Sequence, residues 1–398
     1  MHEPARSKEK GLRVVYPFPM NLSLGFSYML SIGQFVNALA RYCDVDLLSL
    51  DDPAQVDVFF NNVLGQSPNE RLRLVQLSNR RFGIRSNRLF FLNGVRQHVE
   101  ALLVEGYQVV VYGRDYKQLA GMMRRLPRRP GLRYVFESHQ VLSQNYCRNG
   151  KFKEASAFRK LEREVFSAVD GLVPITSTLS REIERIFEDV TSARIVLPVG
   201  VADSFFEQPR VEHYSHDVTY SGNFSRWKGV DTLIEAIARV HQDRPALKVL
   251  MVGAHDHQMP RYQELISRLD LEDVVELRGR MPLKNVPGLL ASSRVGVVAI
   301  SYQEDGLLYT SPLKLYEYLA SGLAVVAARV PSLISALPNG LVHWAVPDDA
   351  ASYAEAIGRA LDETEETRKG RVDYAAAFTW ERRGERLVDF LQSELNWD

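Results

Sequence analysis

Short runs of β-branched residues alternate along the whole chain with segments of helical period, and this alternation constrains the fold more than any other feature. In the first half LRVVYPF, VDLLSL, QVVVYG, LRYVFESH, GLVPIT and ARIVLPVGV predict strands, with helices near 26–41, 88–105, 153–168 and 178–188. A second series, DVTYSG, LKVLMVG, VVELRGR, VGVVAI, LAVVAA and LVHWAV, starts after VGVADSFFEQPRVEHYS. Between its first two strands DTLIEAIARV places Leu233, Ile234, Ile237 and Val240 on one helical face. Strands that are apolar on both alternating faces belong in parallel sheets covered by helices on either side. The pattern therefore predicts an α/β chain of two Rossmann-like, doubly wound domains facing a cleft. One covers residues 1–199 and the other 200–379, with a final helix in 380–398 returning to the first.

The length of 398 residues supports two cores, since single cores stop growing beyond about 250–300 residues. A chain 45% hydrophobic and 25% charged is not disordered, and its formal charge of zero gives no overall field. That neutrality hides a basic stretch: from Arg71 to Arg133 there are fourteen Lys or Arg against Glu100, Glu105 and Asp115. Contact with an anionic lipid surface or acceptor through 71–133 is one expectation, and an ordinary solvated surface is the other. No recognition motif accompanies the charge, so nucleic acid is not expected as a partner. Cys43 and Cys147 are too few for a disulfide scaffold. MHEPARSKEKG has no apolar core of a leader, and no run reaches the roughly eighteen apolar residues of a membrane span. A cytoplasmic chain is expected, at most peripheral on the inner membrane face.

Ligands of open parallel sheets bind beyond the carboxyl ends of the strands. Two such loops carry chemistry. In YSGNFSRWKGVDTLIEA, residues 220–236, the strand ends at Gly222 and a loop with Asn223, Arg226 and Lys228 leads through Gly229 into a helix, for which Asp231 is the predicted N-cap. Cations beside a helix start make an anion seat; alone, the same loop reads equally as a solvated turn. In SPLKLYEYLASG, residues 311–322, Ser311 is the predicted N-cap, Pro312 the first helical residue and Gly322 the stop. SYQEDGLLYT before it is a polar, glycine-containing loop. Glu317 falls on a side of this helix that should be apolar, where a carboxylate costs several kcal/mol unless it accepts hydrogen bonds. Ribose hydroxyls are suitable donors; neighbouring backbone or an arginine would serve a structural glutamate as well.

Taken together, KG followed by an amphipathic helix and SPLKLYEYLASGLAVVA some eighty residues later resemble the nucleotide-sugar-binding domain of retaining GT-B glycosyltransferases, the large group that includes bacterial mannosyl- and glucosyltransferases. The likeness is strong over about 220–330. It continues through REVFSAVDGLVPITSTLSREI, IVLPVGV and FTWERRGERLVDFL, which look like the family's last N-domain elements, linker and return helix. The resemblance implies a UDP- or GDP-sugar donor held by the second domain and a glycan, lipid-linked or metabolite acceptor held by the first. Lys228 with Arg226 would neutralise the diphosphate, the amides around Thr310 to Leu313 would hold its distal phosphate and the sugar, and Gly222, Asn223, Tyr309, Ser311 and Pro312 would complete the donor-binding set. Glu317 would take the ribose, and Gly279, Arg280 and Met281 would border the base. His139 matches a histidine placed beside the donor sugar, so His139, Lys228 and Glu317 form the expected catalytic set.

The chain also departs from the family's pattern. A second glutamate is frequent eight positions before Glu317, where this chain has Tyr309, and Asn223 stands where an arginine is frequent. PFPMNLSLGFSYMLSIG replaces a paired-glycine loop, leaving Gly25 as the expected turn residue on the acceptor side. Breaking the anomeric bond leaves negative charge on the nucleoside diphosphate, which fixed cations and a helix start stabilise without a metal. No metal site is expected: DVD at 44–46 and HDH at 255–257 lack supporting ligands. No nucleophile is evident, so front-face displacement is the working mechanism. A nucleotide-sugar epimerase of the same architecture, or a degenerate subunit that binds a nucleotide sugar without turnover, are the competing readings.

Overall fold

A computed structural model describes residues 10–81, 83–209, 211, 213–302, 309–364 and 366–397. Most of the glycine-containing loop, 303–308, the first nine residues and linker positions 210 and 212 lie outside the described residues. The chain divides into two compact units. The N-terminal one holds residues up to Ile175, Leu179–Leu197 and the residues from Arg383 onward; the C-terminal one holds Thr176–Thr178 and Pro198–Arg382.

The N-terminal unit is built on β1 (Lys10–Pro17), β2 (Asp44–Ser49) and β3 (Leu72–Gln76), a short hairpin of β4 (Arg80–Arg81) and β5 (Ile84–Arg85), then β6 (Tyr107–Gly113), β7 (Leu132–Ser138), β8 (Gly171–Pro174) and β9 (Ala193–Arg194). Its main sheet runs β3-β2-β1-β6-β7-β8-β9, and every pair in it is parallel. Val14 lies opposite Val45 on one side and Val110 on the other, all fully buried, as expected of strands covered on both faces. Strand β3 escaped the sequence reading because it lies on the sheet edge, where exposed Arg73 and Gln76 interrupt the apolar run. The helices Pro53–Val58, Tyr116–Arg125 and Leu142–Arg148 were likewise unforeseen. The strand expected over ARIVLPVGV shrinks to two residues; beyond it the Ile195 and Leu197 amides still donate to the Leu172 and Pro174 carbonyls at 3.1 Å, until Pro198, which has no N–H, ends the alignment.

The C-terminal unit contains β10 (His216–Ser221), β11 (Val249–Ala254), β12 (Val275–Gly279), β13 (Ser293–Val298), β14 (Ala324–Ala328) and β15 (His343–Ala345), in the order β12-β11-β10-β13-β14-β15, all parallel. In both sheets the order runs outward to one edge, then resumes on the other side of the first strand. The reversal falls between β1 and β6 in one unit and between β10 and β13 in the other, the crevices where doubly wound sheets bind ligands.

The helix Leu313–Ala320 is fixed against that reversal in the C-terminal unit. The fully buried Tyr318 ring lies over Gly296 of β13, where an added Cβ would come within 2.5 Å of it, and the Tyr318 hydroxyl accepts the Ser221 amide of β10 at 2.7 Å. The helix ends in a left-handed turn: Gly322 has φ 72°, its N–H donates to Leu319 and the Leu323 N–H to Tyr318, both at 3.0 Å. Gly296→Ala should therefore cost about 1–3 kcal/mol by overpacking and lower the thermal midpoint; an unchanged melting curve would show that the ring is not seated on this glycine.

Candidate nucleotide-sugar site

In the C-terminal unit the loops after β10 and β13 meet. Arg226–Lys228 forms a 3₁₀ turn closed by Gly229, with φ 61°, where an added Cβ would come within 3.3 Å of the Ile300 backbone, and the Ser301 amide donates to the Trp227 carbonyl at 2.9 Å. Gly229, rather than Asp231, is the N-cap of the following helix Val230–Asp243. Its left-handed conformation starts the helix two residues early, and Asp231, in the first turn, pairs with Arg261 at 2.7 Å. Ser311 is likewise not a cap. Pro312, with ψ 126°, is still extended and holds the N-cap position, and the Ser311 hydroxyl accepts the Val199 amide at 3.3 Å. The first helical amides after Pro312, Leu313 and Lys314, thus open the helix.

Three ionisable side chains gather at this mouth. Lys228 is 9% exposed, its Nζ 3.5 Å from the centre of the Trp227 ring, and burial pushes its ammonium down to about 7. Glu317 is 8% exposed; burial pushes its carboxyl up to about 7, against the pull of Lys314. Lys314 is 6% exposed, with Nζ 3.5 Å from the centre of the Tyr220 ring; burial first and Lys228 second hold it well below the ordinary lysine value, Glu317 opposing them. Gly222, with φ 150°, lies directly under that ammonium: a Cβ there would sit 2.7 Å from Nζ. Asn223 closes a turn, its side-chain oxygen accepting the Ser225 amide at 3.3 Å and its carbonyl the Tyr220 hydroxyl at 2.7 Å. Arg226 is exposed and Tyr309 buried, with Thr310 partly exposed between Tyr309 and Ser311.

Farther along the same sheet end, Gly279 closes β12 and Arg280 and Met281 follow it, and Arg280 lies near enough to His255 after β11 to depress it, after burial. The rings of His255 and His257 stack at 5.5 Å. Among the described residues no three His, Cys, Asp or Glu side chains are grouped to share a metal ion. A cavity of about 360 Å³ lined in part by Asp217, Arg294 and Ala324 opens at the opposite, amino end of β10, β13 and β14.

In the N-terminal unit the carboxyl ends of β1, β6 and β7 carry Gly25, Arg114 and His139. Gly25 has φ 64° and donates to the Leu22 carbonyl at 2.9 Å. Asp51, buried just past β2, pins the same loop by accepting the Leu22 amide at 2.5 Å and the Ser23 hydroxyl at 2.6 Å. Glu137 in β7, also buried, accepts from Arg383 at 2.7 Å, from His139 Nε2 at 2.6 Å and from the Tyr112 hydroxyl, with Arg114 3.3 Å away. Burial favours the neutral acid, but Arg383 and Arg114 outweigh it and hold the carboxyl well below the usual range. A carboxylate can only accept, so His139 carries its proton on Nε2, and Nδ1, 3.4 Å from Arg114, is the acceptor. Burial and then Arg114 push His139 down to about 4, against Glu137, so the ring is neutral at pH 7.

Sequence reasoning missed Glu137, Arg114, Arg383 and Lys314. A carboxylate inside the otherwise apolar strand LRYVFESH was the available signal for the first. Its arginine partner lies 246 residues away, beyond any local pattern. DVD is an ion-pair knot: Asp46, fully buried, meets Arg13 at 2.8 Å and His98 at 2.6 Å, and Asp44 meets Arg13 at 2.9 Å and Arg71 at 3.0 Å. Of the fourteen basic residues between Arg71 and Arg133, Arg71, Arg96, Arg114, Arg124, Arg128 and Arg129 pair with carboxylates, which reduces the basic surface foreseen there.

Comparison with known proteins places the family where these loops lie: the description "Glycosyl transferases group 1" matches residues 215–363. That stretch is a group 1 glycosyltransferase domain. The chain is similar to the MMP alpha-(1->4)-mannosyltransferase of Mycolicibacterium hassiacum, 23% identical over 248 residues, 61% of this chain and 58% of the relative. It is similar too to the D-inositol 3-phosphate glycosyltransferase of Geodermatophilus obscurus, 29% identical over 245 residues, 57% of this chain and 53% of that one. The matches thus span little more than half the length of these relatives. Among solved structures, Anabaena HepE in complex with UDP and glucose superimposes with a TM-score of 0.67 at 16% identity, over 97% of this chain and all of that one. The chain has the GT-B fold. The group 1 domain contains Lys228, Lys314 and Glu317. No helix among the described residues is long and apolar enough to cross a membrane.

Arg383→Met should lower stability at pH 7 by about 3–5 kcal/mol, the cost of leaving a buried charge short of its partner. Because the Glu137 carboxyl is depressed, its contribution is complete above the ordinary carboxylate range and is lost as pH falls through its lowered value. The deficit of the variant should therefore shrink in acid; urea melts from pH 7 downward that show a constant deficit would assign Arg383 a packing role only.

Proposed function

We propose that the chain transfers a hexose from a UDP- or GDP-sugar to an acceptor, with retention and without a metal. The observation that carries this reading is the meeting of Lys228, the mouth of the helix Leu313–Ala320 and Glu317 at the strand reversal of the group 1 domain. Departure of the nucleoside diphosphate concentrates charge on its distal phosphate. The Lys228 ammonium and the amides of Leu313 and Lys314 are positioned by the fold before that charge appears, so they stabilise the transition state more than the ground state. Arg226, exposed beside Lys228, adds a cation from solvent. Tyr309, Thr310, Ser311 and Pro312 shape the approach to the phosphate, and Gly222 and Asn223 leave room beside it. Glu317 accepts the ribose hydroxyls, which favours its charged form, and Gly279, Arg280 and Met281 border the base.

The departing phosphate takes the proton of the acceptor hydroxyl. His139, a neutral ring locked by Glu137 and Arg114, orients and does not titrate in this step. The acceptor belongs to the N-terminal unit, at the loop turned by Gly25. The exposed Met20, Leu24, Phe26 and Tyr28 around that loop favour an acceptor with an apolar portion, such as a lipid-linked glycan. Exposed Arg73, Arg80 and Arg85, with exposed Ile84, suit contact with an anionic membrane surface.

Incubation with a panel of UDP- and GDP-hexoses and analysis of products separates transfer from epimerisation, which would convert the donor with no acceptor present. Glu317→Ala should weaken UDP or GDP binding roughly tenfold while the protein stays folded, in line with loss of a charge-assisted hydrogen bond; calorimetry giving equal affinities removes the ribose role. Lys228→Ala should lower turnover by about a hundredfold or more with an unchanged or higher melting midpoint, since a buried ammonium is removed; full activity in the variant contradicts the mechanism.

A further inference from the structure

We propose that Lys314 is a second diphosphate-binding cation of the group 1 domain, an inference that rests on the nucleotide-sugar reading above. Its ammonium is buried yet has no hydrogen-bond partner among the described residues, whereas the buried guanidiniums of Arg371 and Arg383 each meet a carboxylate. A stranded ammonium of this kind is costly. The Tyr220 ring covers one side of it at 3.5 Å from the ring centre, and Gly222 has no side chain to cover another. A cation–π contact returns only about 0.5–2 kcal/mol of that cost.

Its internal alternatives are limited. Glu317 lies one turn further along the same helix and attracts Lys314, but no hydrogen bond joins them. Lys228, arriving from the loop after β10, repels it. Two buried ammonium groups that raise each other's energy, each backed by an aromatic face and placed beside the first amides of a helix, form an arrangement whose missing component is a polyanion. A ligand with two adjacent phosphates supplies oxygens to both at once and converts their mutual repulsion into shared attraction. A monophosphate or a neutral sugar supplies too few. Gly222 contributes by its small size, because any side chain there would displace the ammonium.

Calorimetry with UDP, GDP and inorganic pyrophosphate, on the full chain and on Lys314→Met and Lys314→Arg, tests this. The unsubstituted protein should bind pyrophosphate and at least one nucleotide. Lys314→Met should lose roughly ten- to a hundredfold in affinity for each, the range of a hydrogen bond to a charged group. Lys314→Arg should retain more than the methionine variant. The thermal midpoint of unliganded Lys314→Met should be unchanged or raised. Binding by the parent with equal affinity in Lys314→Met overturns the assignment and leaves the donor site intact. A midpoint several degrees lower in Lys314→Met overturns it too, because the lysine then serves the fold. If the parent binds neither nucleotide nor pyrophosphate, the nucleotide-sugar reading fails first and takes this inference with it.

Discussion

The hydrogen bond from the Ser221 amide to the Tyr318 hydroxyl fixes the geometry on which the C-terminal unit's chemistry depends. A parallel sheet exposes unpaired amides where a strand ends, and here one of them is met by the side chain of a helix from beyond the next strand. Because the Tyr318 ring fills the space above Gly296, the helix can approach neither closer nor along another line. The first helical turn then has to lie beside the loop after β10. Lys314 and Glu317 on the helix, and Lys228 on the loop, become neighbours as a consequence of packing.

Packing also sets their electrostatics. All three are at least nine-tenths buried, so desolvation leads each shift: both lysines fall and the glutamate rises. An empty site of this sort resists carrying its charges. The family likeness leads one to expect an arginine at position 223, where this chain has an asparagine occupied in a turn. The Lys314 ammonium, carried by a different element, lies against the neighbouring Gly222. The N-terminal unit solves the converse problem: Glu137 is equally buried but surrounded by donors, and it stays charged beside a His139 that burial and Arg114 keep neutral.

Much of this was legible in the sequence because apolar alternation and loop punctuation are local. The strands near the sheet centres, the strand ends at Gly222 and Gly279, and the stop at Gly322 could be read directly. Errors arose where one residue admits two local roles. Ser311 and Pro312 have the composition of a cap and a first turn, but Pro312 stays extended and the Ser311 hydroxyl is taken by Val199. Asp231 yields the cap to Gly229 because a left-handed glycine can start the helix without a side chain. Lys314 stood inside a quoted motif and was passed over, since spacing alone does not reveal that its ammonium lacks a partner. Strand β3 was hidden by its edge position, and the Glu137 cluster by distance along the chain.

The pairing of Arg383 with Glu137 has a bearing on biosynthesis. Residues 383–397 complete the N-terminal unit: Gly384 packs against the backbone of Ala38 and Leu39, and Arg133 is bonded to the Asn396 carbonyl. The ribosome makes the strands of that unit first, yet their carboxylate acquires its principal cation only after the other unit has been translated. Until then Glu137 waits without Arg383, and the half of the protein begun earliest is the half finished last.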